Sequence, residues 1–494
     1  MLHPQVNQIR CEPGSSRDGF FCVAQRSIES IQLNNWHSTP FIFKLCVCCT
    51  HQELGFDLRD RELRTKQALS LIALIAGIGL YLFSGTALCA GLATDGVTGI
   101  EAAAFAATEQ YMIQLDADQR LASDAYFEGK AWLILWNLFY GLLIAWGLMK
   151  SGLSVRMRNL GEKYTRIKYF QQCAYIVQYT LVVFILLIPL NMYEGFFREH
   201  QYNLSNQDFM GWFVEQGIGL MLELTLGSLL IAAIYVVIRR LPDSWAFWGS
   251  VTSVFFLVLI IMVSPVFIAP LFNEYKPLPE SELKEQILML ARANGVPAEE
   301  VYQFDASEQS TRISANVSGL FGTTRISLND NLINNISPEG VRAVMAHEIG
   351  HYALNHIIET LIYLSGIVIM AFFFIRFAFS RVIRPEWGVR DVSDIAGLPV
   401  VAALLSVFFT LMTLLNNTIT RSNETEADIF ALNAAREPDG FSEAVLSLSS
   451  YRKMKPGPVE EFILFDHPAG YQRIYRAMRW KLEQQSIVEL EVPG

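Results

Sequence analysis

Charge is what this chain has least of. Only 17% of its 494 residues are Asp, Glu, Lys or Arg, where an ordinary soluble protein carries about 25%. With 52% hydrophobic residues, that shortage argues against a soluble enzyme. The basic residues form no stripe, which excludes a nucleic-acid-binding face, and the net charge of −10 reads as a solvated acidic surface. Cysteine is scarce as well, seven residues in all. Cys46, Cys48 and Cys49 crowd into one polar stretch and read as unstructured thiols rather than a metal or lipid site. Cys89 follows Thr86-Ala87-Leu88, without the small residue a lipoprotein signal needs just before it, so no lipidation is expected. Repeats and low-complexity tracts are absent. Histidine is rare too, with eight residues.

The apolar residues are clustered. Seven runs, near 68–92, 131–149, 174–192, 211–238, 246–271, 356–380 and 396–418, are long enough for a bilayer core of about 30 Å, which takes roughly 20 residues. One such run could be a buried core helix, but seven mark a polytopic membrane protein. Arg59, Arg61, Arg64 and Lys66 precede the first run in the manner of a signal peptide, but the run is long for a cleaved signal and reads as a retained anchor. Loop 150–173 has six basic residues and one acidic, whereas 93–130 has seven acidic and only Arg120 and Lys130 as basic. The positive-inside rule then puts 150–173 in the cytoplasm and 93–130, 192–210, 272–355 and the C-terminal part on the other side. Loop 381–395 is balanced and favours neither side. No C-terminal retrieval signal is present; with the charge pattern, this points to a bacterial inner membrane with a periplasmic catalytic face.

Five segments follow: an N-terminal extension (1–67), a first membrane block (68–271), a segment with soluble-like patterning (272–355), a second membrane block (356–418) and a C-terminal segment (419–494). Within 272–355, Glu280 to Asn294 places Leu283, Ile287, Leu290 and Ala291 on one helical side. Val301 to Phe304 reads as a strand, and Asn316–Phe321 with Thr324–Leu328 as a hairpin around Gly322-Thr323. Ser337-Pro338 opens a helix that carries His347-Glu348-Ile349-Gly350-His351 and runs almost directly into the sixth span.

That H-E-x-x-H stretch carries the chemistry. Residues four apart share a helix face, so both imidazoles can reach one metal ion, and Glu348 can reach a water on it. Eight histidines scattered at random would give the pattern in roughly one such chain in a hundred. A catalytic zinc takes three protein ligands and one open position. Glu424 is the best third ligand, at a helix start just after the last span; by spacing alone it serves equally well as an acidic helix start. Asp428, one turn on, can fix a ligand tautomer. Glu426 is the rival ligand but points about 200° away around the helix. His356 faces elsewhere and reads as structural, and His467, before Pro468, reads by itself as a cap or surface residue.

These residues resemble peptidase family M48, specifically the Ste24-type CAAX prenyl proteases, whose pattern is H-E-x-x-H followed by E-x-x-x-D on a later helix. Pro270-Leu271-Phe272, Pro277-Leu278-Pro279-Glu280, Asn316, Arg325-Ile326 and His467-Pro468 with Arg473 extend the similarity, which covers roughly 68–480. The resemblance implies a mainly α fold of seven transmembrane helices enclosing a chamber, with a small α+β zincin-like domain. It implies one zinc ion held by His347, His351 and Glu424, with Glu348 as general base and Asp428 orienting a ligand. Asn316 would lie in the strand that pairs with substrate, and His467 would stabilise the oxyanion. The expected partners are membrane lipid and a peptide or protein substrate, prenylated or not, in tail removal or in quality control of membrane proteins. No feature speaks to oligomeric state. The competing reading is a zinc transporter or sensor with the same ligands; it gives no reason for Glu348 at the base position or for the hairpin before the motif.

Overall fold

The computed structural model describes residues 98–319 and 324–491. The N-terminal extension with its cysteine cluster, the run 68–92, Cys89 and the turn at Gly322-Thr323 lie outside the described residues. Among those described, six helices are long and apolar enough to cross a membrane, and each contains one of the six remaining apolar runs. They lie in Ala117–Lys150 (α2), Lys168–Gln201 (α4), Phe209–Arg240 (α5), Trp245–Leu271 (α6), His356–Val382 (α10) and Leu398–Ala435 (α11).

The region 93–130 is not the loop that its polarity suggested. It holds helix α1 (Thr98–Ile113) and the first turns of α2. Hydropathy registers only the lipid-facing length of a helix. The 34 residues of α2 span roughly 51 Å at about 1.5 Å each, well beyond a hydrocarbon core of about 30 Å. Ala104 and Met112 of α1 pack against Ile474, Ala477 and Met478 of the C-terminal helix α14 (Gly470–Glu491).

At the opposite end, the basic loop also contains a helix, α3 (Leu153–Tyr164), and it closes on the segment 381–395. Arg158 pairs with Asp394, both buried, and also donates to the Gly388 carbonyl at 3.3 Å. Ser154 Oγ donates to the Ala396 carbonyl at 2.7 Å, and Arg390 reaches Glu162 at 2.7 Å in the open.

Between α6 and α10 lies a four-stranded sheet. Strands β1 (Tyr275–Pro277), β2 (Val301–Phe304), β3 (Ala315–Ser318) and β4 (Arg325–Asn329) run in the order β1-β2-β4-β3. The expected hairpin is the antiparallel β3–β4 pair, with Asn316 opposite Ser327, and β2 runs parallel to β4. Strand β1 was not expected; three residues containing a Pro give no periodic signal. β3 is left at the edge. Helix α7 (Glu282–Ala293), capped by the Ser281 hydroxyl, buries Ile287 and Ala291 against Val301, Ile326 and Leu328. After α8 (Asp330–Asn335), Ser337 caps α9 (Pro338–Ala353), accepting from Gly340 N at 3.1 Å.

Asn355, in the left-handed region at φ 62°, separates α9 from α10. Helix α11, by contrast, does not stop at the membrane surface. It continues through Glu424 to Ala435, where a separate helix had been expected; after Pro399 it contains neither Pro nor Gly to end it. The C-terminal segment adds α12 (Pro438–Ser447) and α13 (Pro458–Leu464) before α14. Replacing Arg158 by Ala is expected to cost about 3–5 kcal/mol, because Asp394 is left buried and unpaired. Replacing the exposed Arg390 should cost no more than about 1 kcal/mol. Unfolding in detergent compares them, and equal losses would contradict the distinction.

Candidate metal centre

Helices α9 and α11 meet at close range. A Cβ on Gly350 would lie 2.9 Å from a ring carbon of Phe430, so only glycine fits there without a shift. Ala346 and Ala427 on the facing sides are fully buried. This approach brings the part of α11 that follows its apolar run beside the H-E-x-x-H motif.

His347 Nε2 and His351 Nε2 lie 3.1 Å apart. Glu424 faces both, with Oε2 3.1 Å from His347 Nε2 and Oε1 3.5 Å from His351 Nε2. The three donor atoms fall within 4.8 Å of one another. Glu424 Oε2 is buried and forms no proper hydrogen bond despite its short contacts, a costly arrangement for a carboxylate oxygen unless a cation joins it. Burial pulls the His347 pKa down, yet Asp428 and Glu424 outweigh it and raise it to about 10. Burial and the neighbouring His347 lower His351 to about 4. The pocket therefore favours positive charge between its carboxylates while leaving His351 a free lone pair. Two imidazoles and a carboxylate with these properties fit a divalent first-row metal.

The supports are equally explicit. His347 Nδ1 lies 3.0 Å from Asp428 Oδ1, and Asp428 is fully buried. Arg473 grips Asp428 through Nε at 2.9 Å and a terminal nitrogen at 2.5 Å, and Arg476 adds a contact at 3.3 Å. His356 does not face elsewhere: the reversal at Asn355 brings its Nδ1 to 3.0 Å from His351 Nδ1, with its Nε2 3.4 Å from Glu426. Glu426 itself is exposed, on the far side from Glu424, as its helical angle requires.

Glu348 lines a cavity of about 270 Å³ together with His347, Glu424, His467, Ser314 and Ala315. Burial raises its pKa to about 7. His467 Nε2 comes to 3.3 Å from Glu424 Oε2, and its Nδ1 is held by Asp466 at 2.8 Å. Asn316 sits half-buried on β3, one residue beyond Ala315. Sequence reasoning gave Arg476 no part. Its signal is the spacing of three from Arg473, which puts both on one face of α14 toward Asp428.

Residues 277–481 match the family model described as peptidase family M48, and residues 106–274 match one described as CAAX prenyl protease N-terminal, five membrane helices. The chain belongs to peptidase family M48. It is similar to the uncharacterized metalloprotease YhfN of Bacillus subtilis, at 25% identity over 69% of this chain and 80% of that protein. Similar too is the CAAX prenyl protease 1 homolog of Homo sapiens, at 25% identity over 71% and 81%. The crystal structure of S. mikatae Ste24p shares its fold, with a TM-score of 0.64 over 77% of this chain and 95% of that one at 21% identity. This M48 protein is thus a multi-pass membrane metalloendopeptidase.

Substituting Ala for His351 or Glu424 is expected to empty the metal site, while Glu426→Ala keeps it filled. Asp428→Asn should weaken metal affinity about 10- to 100-fold. Elemental analysis and chelator competition read these, and full occupancy in the Glu424 variant would move the third ligand elsewhere.

Proposed function

We propose that this M48 peptidase is a zinc endopeptidase, with one ion per chain held by His347, His351 and Glu424. The observation that carries the reading is the convergence of these three donors beside Glu348 in one cavity. A zinc ion held there would acidify a water and polarise the scissile carbonyl. Glu348, a carboxylate shielded from solvent, takes the proton of the attacking water and passes it to the departing amine. Asp428, with Oδ1 3.0 Å from His347 Nδ1, is placed to hold the proton on Nδ1, which would leave the Nε2 lone pair for the ion. His467, fixed by Asp466, presents Nε2–H to the oxyanion that forms at the carbonyl. The unpaired edge of β3, which carries Asn316, adds the substrate as a further strand. Transport would leave Glu348 and this edge without a role.

The substrate class we propose is the C-terminal tail of prenylated peptides, from which a tripeptide is removed. Its support is the likeness to proteins named CAAX prenyl protease 1, among them those of Oryza sativa and Saccharomyces cerevisiae, at 28% and 25% identity. We further assign the protein to a bacterial inner membrane, with the catalytic end periplasmic. The support is loop charge. The end where 150–173 meets 381–395 carries the basic excess, and the catalytic end carries the acidic residues of α1 and early α2.

Glu348→Gln should keep its metal and lose peptide cleavage; wild-type turnover in that variant would sink the mechanism. Burial lifts Glu348 to about 7 without a metal, and a nearby cation pulls it back down. As pH falls, kcat/KM should therefore drop with a midpoint between the ordinary 4.5 and about 7. A midpoint below 4.5 would assign the base elsewhere. Mass spectrometry of cleaved peptides tests the substrate class. Loss of three C-terminal residues from prenylated peptides is expected, and internal cuts in unprenylated chains would point instead to quality control. A C-terminal reporter active only in the cytoplasm should stay silent.

A further inference from the structure

Beside the metal cavity lies a second one of about 240 Å³, and the two share Tyr451, Arg452 and Arg473 in their walls. The second cavity is strongly basic. Lys130, Arg312, Arg452, Lys453 and Arg473 line it, against Asp466 alone. Three of these cations are already matched: Arg312 by Glu199 at 2.6 Å, Lys453 by Glu128 at 2.8 Å, and Arg473 by Asp428. Asp466 is taken by His467. Arg452 and Lys130 form no ion pair among the described residues; burial raises the Asp466 carboxyl, His467 more than offsets that, and the two cations add smaller pulls below its usual range. The centre of the Tyr451 ring is 5.2 Å from the Arg312 guanidinium and 6.0 Å from that of Arg452. Burial keeps the Tyr451 hydroxyl protonated, so it remains a donor. The cavity thus offers a guanidinium, an ammonium and a phenol to a ligand, and has one engaged carboxylate of its own.

Strand direction says which part of a peptide arrives there. Ser314 and Ala315 line the metal cavity. A peptide pairing antiparallel with β3 runs its C-terminal end back past Ser314 and Ile313 to Arg312, which lines the basic cavity. Three extended residues cover about 10 Å.

We propose that the basic cavity binds the terminal carboxylate of the peptide substrate, through Arg452 with Lys130 and Tyr451. The bond cut is then set about three residues from the chain end. The inference rests on the endopeptidase reading above and adds to it the group that measures the length of the leaving fragment. A guanidinium donates charge-assisted hydrogen bonds to a carboxylate, and a terminal amide at the same place leaves the half-buried Arg452 without its partner.

Three fluorescent peptides of one sequence test this with the full-length Glu348→Gln protein, which binds without turnover: a free acid, its C-terminal amide, and an amide whose last residue is Glu. The acid is expected to bind at least tenfold more tightly than either amide. Adding Arg452→Gln should bring its Kd to that of the amide, and Arg452→Lys should restore part of the difference. Equal Kd values for acid and amide in the Arg452-containing protein overturn the proposal without recourse to any further variant. So does a preference that survives Arg452→Gln. Tight binding of the Glu-ended amide overturns the assignment to the chain terminus. None of these readings depends on catalysis. A wild-type protein that binds the acid and cuts nothing contradicts the peptidase reading and leaves the cavity assignment standing.

Discussion

The approach of α9 to α11 is the contact on which the rest depends. One helix supplies His347, Glu348 and His351, the other Glu424 and Asp428, and nothing in chain order keeps them together. Small residues do: Gly350 under Phe430, with Ala346 and Ala427 buried at the crossing. Each helix also runs to, or breaks at, a membrane span. Asn355 turns α9 into α10, while α11 emerges without interruption. The membrane block therefore acts as the scaffold that fixes the distance between donors.

Burying so many ionisable groups is expensive unless each has a partner. Here the partners form a chain: Arg473 and Arg476 hold Asp428, Asp428 meets His347, and His356 meets the other nitrogen of His351. Two buried atoms of the centre keep short contacts without a well-formed hydrogen bond, His347 Nδ1 beside Asp428 and the Glu424 oxygen facing two imidazoles. That local imbalance is the reason a cation belongs there. Burial holds the base beside it near neutrality rather than at an ordinary glutamate value, and the Glu424 charge adds a smaller push in the same direction.

Much of this was legible in the sequence, because its strongest signals are periodic. Six apolar runs match six helices, and the spacing of four between His347 and His351 needed only a helix to become a site. Glu424 and Glu426 lie on different sides of α11, as their helical angle required. What was missed depends on tertiary contact or on weak local signals. The polar helix α1 and the early turns of α2 are held by packing against α14, which hydropathy does not register. His356 was misplaced because a left-handed Asn355 redirects the chain within one residue. Arg476 and Arg452 are ordinary surface-type residues until the fold turns them inward.

X-ray absorption at the zinc edge of the purified, metal-loaded protein tests the central claim most directly. The account predicts light-atom ligands only, nitrogen and oxygen at about 2.0–2.2 Å, with two imidazoles in the outer-shell scattering. A sulfur ligand at about 2.3 Å, or a spectrum without imidazole scattering, would contradict the centre described for His347, His351 and Glu424.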